Sequence, residues 1–119
     1  MAAQGYEKQH RNLVSSIKLY EQAIKLEPDN LLIRNNIAVM YMNNRQLIKA
    51  RDTLVRVLSE RPDHSTASSN LCDVLTKLKS HEEALFWCRA YLVLNPKSAV
   101  KEEVLRDIEL HRKILGLKQ

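Results

Sequence analysis

Three prolines stand 34 residues apart, at positions 28, 62 and 96. Each closes an apolar-patterned stretch, as Glu27-Pro28-Asp29, Arg61-Pro62-Asp63 and Asn95-Pro96. Proline disfavours the helical region for the residue before it, so each marks a helix end. A fixed period constrains the chain more than any local motif, because each period must be one supersecondary unit repeated in space. Between 35 and 62, NNIAVMYMNNRQLIKARDTLVRVLSERP reads as two short amphipathic helices joined by a turn. A second copy follows 34 residues later, and part of one precedes it.

Composition agrees with a helical chain. Two glycines and three prolines in 119 residues are too few for the turns of a β-rich fold of this length. The apolar share of 45% and charged share of 28% suit one soluble globular domain with a real core. No apolar run nears the ~18 residues of a membrane span, and MAAQGYEKQH has no apolar signal core. A membrane partner is therefore not expected. Net charge is +5, most of it (+3) in residues 31–64, with acids interleaved throughout. A solvated mixed-charge surface accounts for that distribution.

Taken in order, residues 2–10 predict a short helix weakened by Gly5. Asn12 is a candidate N-cap for a helix over 13–26, and Asp29 or Asn30 caps one over 31–43. Asn44 ends that helix in a left-handed conformation. A partner helix covers 47–58, with Leu47, Ala50, Leu54, Val57 and Leu58 inward. Helix five presents Ala67, Leu71, Cys72, Val74, Leu75 and Leu78. Ser80 caps helix six with Glu83 as capping-box partner; Ala84, Leu85, Cys88, Tyr91 and Leu92 face inward. Ser98 caps a last helix over 99–115, with an apolar stripe from Val100 to Leu115 and a charged outer face. Cys72 and Cys88 lack CxxC or metal-ligand spacing, so no disulfide framework is implied. They read as small buried hydrophobes, and hence as a weak pointer to a reducing compartment.

The 34-residue helix-turn-helix period resembles the tetratricopeptide repeat. Its large-small pair is matched by Ile37-Ala38 and Leu71-Cys72, and its alanine by Ala50 and Ala84, with Ser16 in the first copy. The bulky slot holds Tyr20, Leu54 and Cys88. SSIKLYEQAIKLEPDN is the segment nearest the family pattern. Departures are Arg34 and Ser68 at an aromatic slot, the missing turn glycine, and Val57 and Tyr91 in a small slot. The resemblance implies an all-α, right-handed superhelical array of antiparallel helix pairs, one domain over 1–119. It has a partial repeat over 1–30, full repeats over 31–64 and 65–98, and a capping helix over 99–115.

It also implies a binding groove lined by the first helix of each repeat. The groove positions here are Leu32, Asn35, Asn36, Val39, Met42 and Asn43, then Thr66, Ser69, Asn70, Asp73, Thr76 and Lys77. Asn36 and Asn70 share one slot. In several family members an asparagine there holds the backbone of an extended peptide, since an amide offers both donor and acceptor. The candidate peptide-binding set is Asn36, Asn70, Asn35, Val39, Met42, Leu32, Asp73 and Lys77. The plainer alternatives are hydrogen bonds within the repeat for the asparagines and packing on the N-terminal helix for the apolar residues. Some members clamp the carboxylate terminus of heat-shock chaperones with paired basic residues. Only Asn36 fits that pattern, because the basic slots hold Thr66, Asn70, Met1 and Gly5.

No catalytic set, phosphate loop or helical His pair is visible. His10, His64, His81 and His111 fall in turns or on polar faces. Neither enzymatic activity nor a cofactor or metal is expected. Phe86 and Trp87 exceed the inward slots; one is expected to contact the final helix, the other to be partly exposed. The function implied is a non-catalytic, cytoplasmic protein-interaction scaffold, part of a larger complex. Two alternatives stand beside it. One is self-association as a homodimer through an incomplete first repeat. The other, less favoured, is nucleic-acid binding through Arg34, Arg45, Lys49, Arg51, Arg56 and Arg61, a set without interleaved stacking aromatics.

Overall fold

The computed structural model describes the backbone of residues 2–117 and the side chains of residues 8–117. Six helices follow one another: α1 Ala2–Leu26, α2 Leu31–Asn43, α3 Leu47–Glu60, α4 Ser65–Lys77, α5 His81–Leu94 and α6 Lys101–Ile114. No strand occurs among the described residues. Each helix packs on the next, giving antiparallel pairs joined by short turns.

The curvature follows from which non-sequential helices meet. α2 touches α4 and α4 touches α6, whereas α1, α3 and α5 have no such contacts with one another. Thus α2, α4 and α6 form the inner rail of the array and α1, α3 and α5 the splayed outer one. Small residues allow the close approach. Ala38, Ala50, Ala67 and Ala84 are fully buried beside Leu54, Leu71, Val74 and Leu75. This cluster runs from Ile17 of α1 to Ala84 of α5. A second, smaller cluster of Cys72, Cys88, Tyr91 and Val104, with Leu92, Val100 and Ile108 against it, seats α6.

Several local expectations are corrected. The N-terminal helix is not interrupted: α1 runs unbroken from Ala2 to Leu26, with Asn12 exposed inside it rather than capping. One glycine costs a helix only about 1 kcal/mol, and no proline interrupts its hydrogen bonds. Asn30 caps α2, its Oδ1 accepting from the Ile33 N–H at 3.1 Å. At the α2–α3 turn, Asn44 stays right-handed at φ −91°. The left-handed residue is Arg45 (φ 60°), and its counterpart one period on is Lys79 (φ 59°). Neither α5 nor α6 has a capping hydrogen bond from the side chain of the expected serine. Ser80 makes no side-chain capping bond. Ser98 Oγ instead meets Tyr91 Oη at 2.5 Å and accepts from the Val100 N–H, and α6 starts only at Lys101. His64 is the cap of α4, its Nδ1 accepting from the Ala67 N–H at 3.1 Å.

The cysteines are not free. Cys72 and Cys88 form a disulfide between α4 and α5, at the seam of the second cluster. Two small apolar slots facing across one helical hairpin bring the sulfurs together, which spacing along the chain did not reveal. The pairing removes the argument for a reducing compartment.

Removing the Asn30 cap tests the local account. Asn30→Ala is expected to cost about 1 kcal/mol, read as a lower urea midpoint. An unchanged midpoint would show that water replaces the cap fully.

Candidate functional site

The inner rail presents the groove positions, and the structure sorts them. Leu32 is 69% exposed and Val39 36%, seven residues apart on α2. Two turns of helix separate them, so they share a face. Asn36 lies between them, half-buried, and Asn70 is half-buried one period later on α4. Leu32, Asn36 and Val39 thus share one face of α2, and Asn70 takes the corresponding slot of α4. Two expected members do not belong to this set as freely. Asn35 is buried, and its Oδ1 has no hydrogen-bond partner. A residue next to the groove slot points about 100° round the helix, toward neighbouring elements. Met42 is half-buried and packs against the main cluster, so it serves the core. Asp73 and Lys77 are both accessible but engaged with each other, Oδ2 to Nζ at 3.1 Å. Thr66 is exposed and Thr76 half-buried.

α6 closes one end of this rail. A cleft of about 240 Å³ lies between α4 and α6, lined by Ser69, Asn70 and Asp73 on one side and by Glu103, Val104 and Asp107 on the other. Burial, then the charges of Asp73 and Glu103, push the Asp107 carboxyl above its usual range. The cleft at this end of the inner rail therefore has a negative wall, with Lys77 already paired to Asp73.

Other polar residues turn out to be structural. Arg34 is buried, donating through its guanidinium to the Pro28 carbonyl, with Nε at 2.8 Å. It holds the inter-repeat turn against α2 and offers nothing to a polyanion. Arg51 pairs with Asp52 at 3.0 Å and Arg61 with Asp63 at 3.4 Å. Of the basic set proposed for nucleic acid, three members are thus engaged. Tyr41 Oη donates to Glu21 of α1 at 2.9 Å. Burial first, then that bond and the Glu21 charge, push its phenol up to about 12. His111 corrects the expectation of a polar face: it is fully buried. Phe86 is 63% exposed, edge-on to Trp87. Trp87 packs against the main cluster rather than under α6. Among the described residues, no group of three metal-ligating side chains converges.

The tetratricopeptide repeat model matches residues 19–52, from the second half of α1 across α2 into α3. Two solved tetratricopeptide structures superpose over most of the chain. One is the first repeat domain of Spaghetti (RPAP3), bound to the HSP90 peptide SRMEEVD. It has TM-score 0.76 and 19% identity, covering 95% of this chain and 89% of that one. The other, the Arabidopsis OM64 domain, has TM-score 0.76 and 18% identity, covering 92% and 88%. The sequence match over residues 19–52 and the shared fold support a tetratricopeptide repeat array. Sperm-associated antigen 1 of Rattus norvegicus is 33% identical over 70 residues, 59% of this chain. The chain corresponds to 8% of that curated relative's length. No helix among the described residues is long and apolar enough to cross a membrane.

Proposed function

We propose that the chain is a non-catalytic interaction scaffold that holds a peptide segment or helix of a partner protein along its inner rail, within a larger complex. The observation that carries this reading is the accessible face of α2 made by Leu32, Asn36 and Val39, with Asn70 half-buried in the matching slot of the neighbouring inner helix α4. Two exposed apolar side chains flank the Asn36 amide, and a second amide stands one repeat on. The amides suit a peptide backbone, and the apolar pair suits side chains of the ligand. That the RPAP3 domain carries a chaperone peptide supports groove binding as a use of this fold. Its acidic peptide is not the expected ligand here. The negative wall of Asp73, Glu103 and Asp107 opposes a carboxylate and favours a neutral or basic segment.

Two hydrogen-bonding side chains at about 0.5–1.5 kcal/mol each set the scale of the test. Asn36→Ala combined with Asn70→Ala is expected to weaken a peptide selected on the wild-type protein from a random displayed library by about tenfold. Helical circular dichroism is expected to stay unchanged. Equal affinity in a calorimetric titration would remove the amides from the site.

Self-association is a second reading, supported by Leu19 and Leu26 standing exposed on α1. Sedimentation equilibrium separates the two, since a monomer at micromolar concentration excludes a stable dimer. Action in the cytoplasm had rested on unpaired cysteines, and the Cys72–Cys88 bond withdraws that support.

A further inference from the structure

His111 is a buried imidazole in a helix that is otherwise seated by few apolar side chains. Its hydrogen bonds form a directed chain. The Thr76 hydroxyl donates to the Cys72 carbonyl at 2.8 Å, one turn back on α4. That hydroxyl has a single proton, so its 2.8 Å contact with His111 Nε2 requires Nε2 to carry the hydrogen. His111 Nδ1 is then an acceptor, and His81 Nδ1–H donates to it at 2.9 Å. Every hydrogen is placed when His111 is neutral. One added proton on His111 forces His81 to surrender its Nδ1 hydrogen. A second leaves two N–H groups facing each other at that distance.

Among the described residues, no counter-ion pairs with His111. Thr76 and His81 are its hydrogen-bond partners. On α4, Asp73 is paired with Lys77. Glu82 and Glu83 on the first turn of α5 are exposed. On α6 itself, Asp107 faces the acidic cleft, Glu109 pairs with Arg112, and Lys113 is exposed. Helix α6 rests on the smaller cluster alone, and such elements open at lower cost than a main core.

We propose that the His81–His111 pair is a proton-operated latch, fastening α6 to the α4–α5 hairpin at neutral pH and releasing it in mild acid. Burial, then the nearby His81, hold His111 below its ordinary value of 6.5. The released helix therefore binds the proton more readily than the docked one. Docking is at full strength above pH 6.5 and weakens as pH falls below it. Asp107 acts in the opposite sense: its carboxyl is raised in the docked state, so acid relieves its repulsion. The loss on acidification is net of that term. Since α6 walls the cleft beside Asn70, release uncovers that part of α4. The latch does not depend on the groove binding a peptide.

Hydrogen exchange read by mass spectrometry, corrected for intrinsic rates, tests this without any ligand. Between about pH 7.5 and about pH 5.5, protection of α6 amides relative to those of α2 and α3 is expected to fall, by up to about tenfold, the ceiling for linkage of one proton over one pH unit. His111→Leu is expected to abolish the pH dependence. A ratio that does not change with pH overturns the proposal, as does an equal acid loss in His111→Leu. Should that variant fail to fold, the imidazole resonances of the unmutated protein decide. A His111 midpoint below 6.5 that coincides with loss of α6 protection supports the latch; a midpoint at or above 6.5 overturns it.

Discussion

Leu54→Ala is expected to destabilise the protein by about 2–5 kcal/mol, the range for truncating a fully buried leucine. Leu54 occupies the bulky slot of α3, has no exposed surface, and belongs to the cluster that joins α1 through α5. A cavity there weakens the interfaces of α3 with its neighbours, and each hairpin relies on its neighbours for stability. A domain of this size has a total stability of only about 5–15 kcal/mol. The urea midpoint should fall sharply with little change in slope. Leu26→Ala provides the control. Leu26 is 84% exposed on α1, and its loss should stay within about 0.5 kcal/mol. Equal costs for the two would mean that the repeat core is misplaced.

Reducing the Cys72–Cys88 disulfide is expected to cost about 3 kcal/mol. The bond closes a loop with a sequence separation of 16, and constraint of the unfolded chain over such a loop gives that magnitude. Paired urea titrations with and without a thiol reductant measure it. The loss should concentrate in α5 and α6, since the bond sits in the cluster that seats α6. Coincident unfolding curves would show that the bond adds nothing beyond packing.

The repeat architecture was legible because its signals are local and periodic. Proline ends helices at fixed intervals, and the apolar stripes of α2 to α5 match the buried residues closely. Ile37, Ala38, Leu54, Leu71 and Leu75 all lie where spacing put them. What escaped were features decided by tertiary contact. The disulfide needs two helices to face each other, which no spacing of 16 reveals. Arg34 reads as a surface charge until the Pro28 carbonyl is seen beside it. His111 reads as polar until Thr76 and His81 converge on it from another repeat. The stripe of α6 was misread for the same reason: Leu105 is 40% exposed and Ile114 53%, while His111 takes an interior position. α6 presents to α4 and α5 the side that Val104 and His111 share.

Of the positions expected to line a groove, Leu32 and Val39 are exposed and Asn36 and Asn70 half-buried on the inner helices. Asn35 is buried because a one-residue step from Asn36 rotates a side chain by about 100°, and Met42 packs against the main cluster. A lone buried carbonyl at Asn35 and a core-packed Met42 are invisible to slot counting.

The most direct measurement is a hydrogen-exchange footprint of a library-selected peptide on the intact protein. Binding along the inner rail predicts slowed exchange in α2 and α4 around Asn36 and Asn70, with α1 and α5 unaffected. Slowed exchange confined to α1 and α5, under Leu26, Phe86 and Val93, would contradict the account and move the interaction to the outer face.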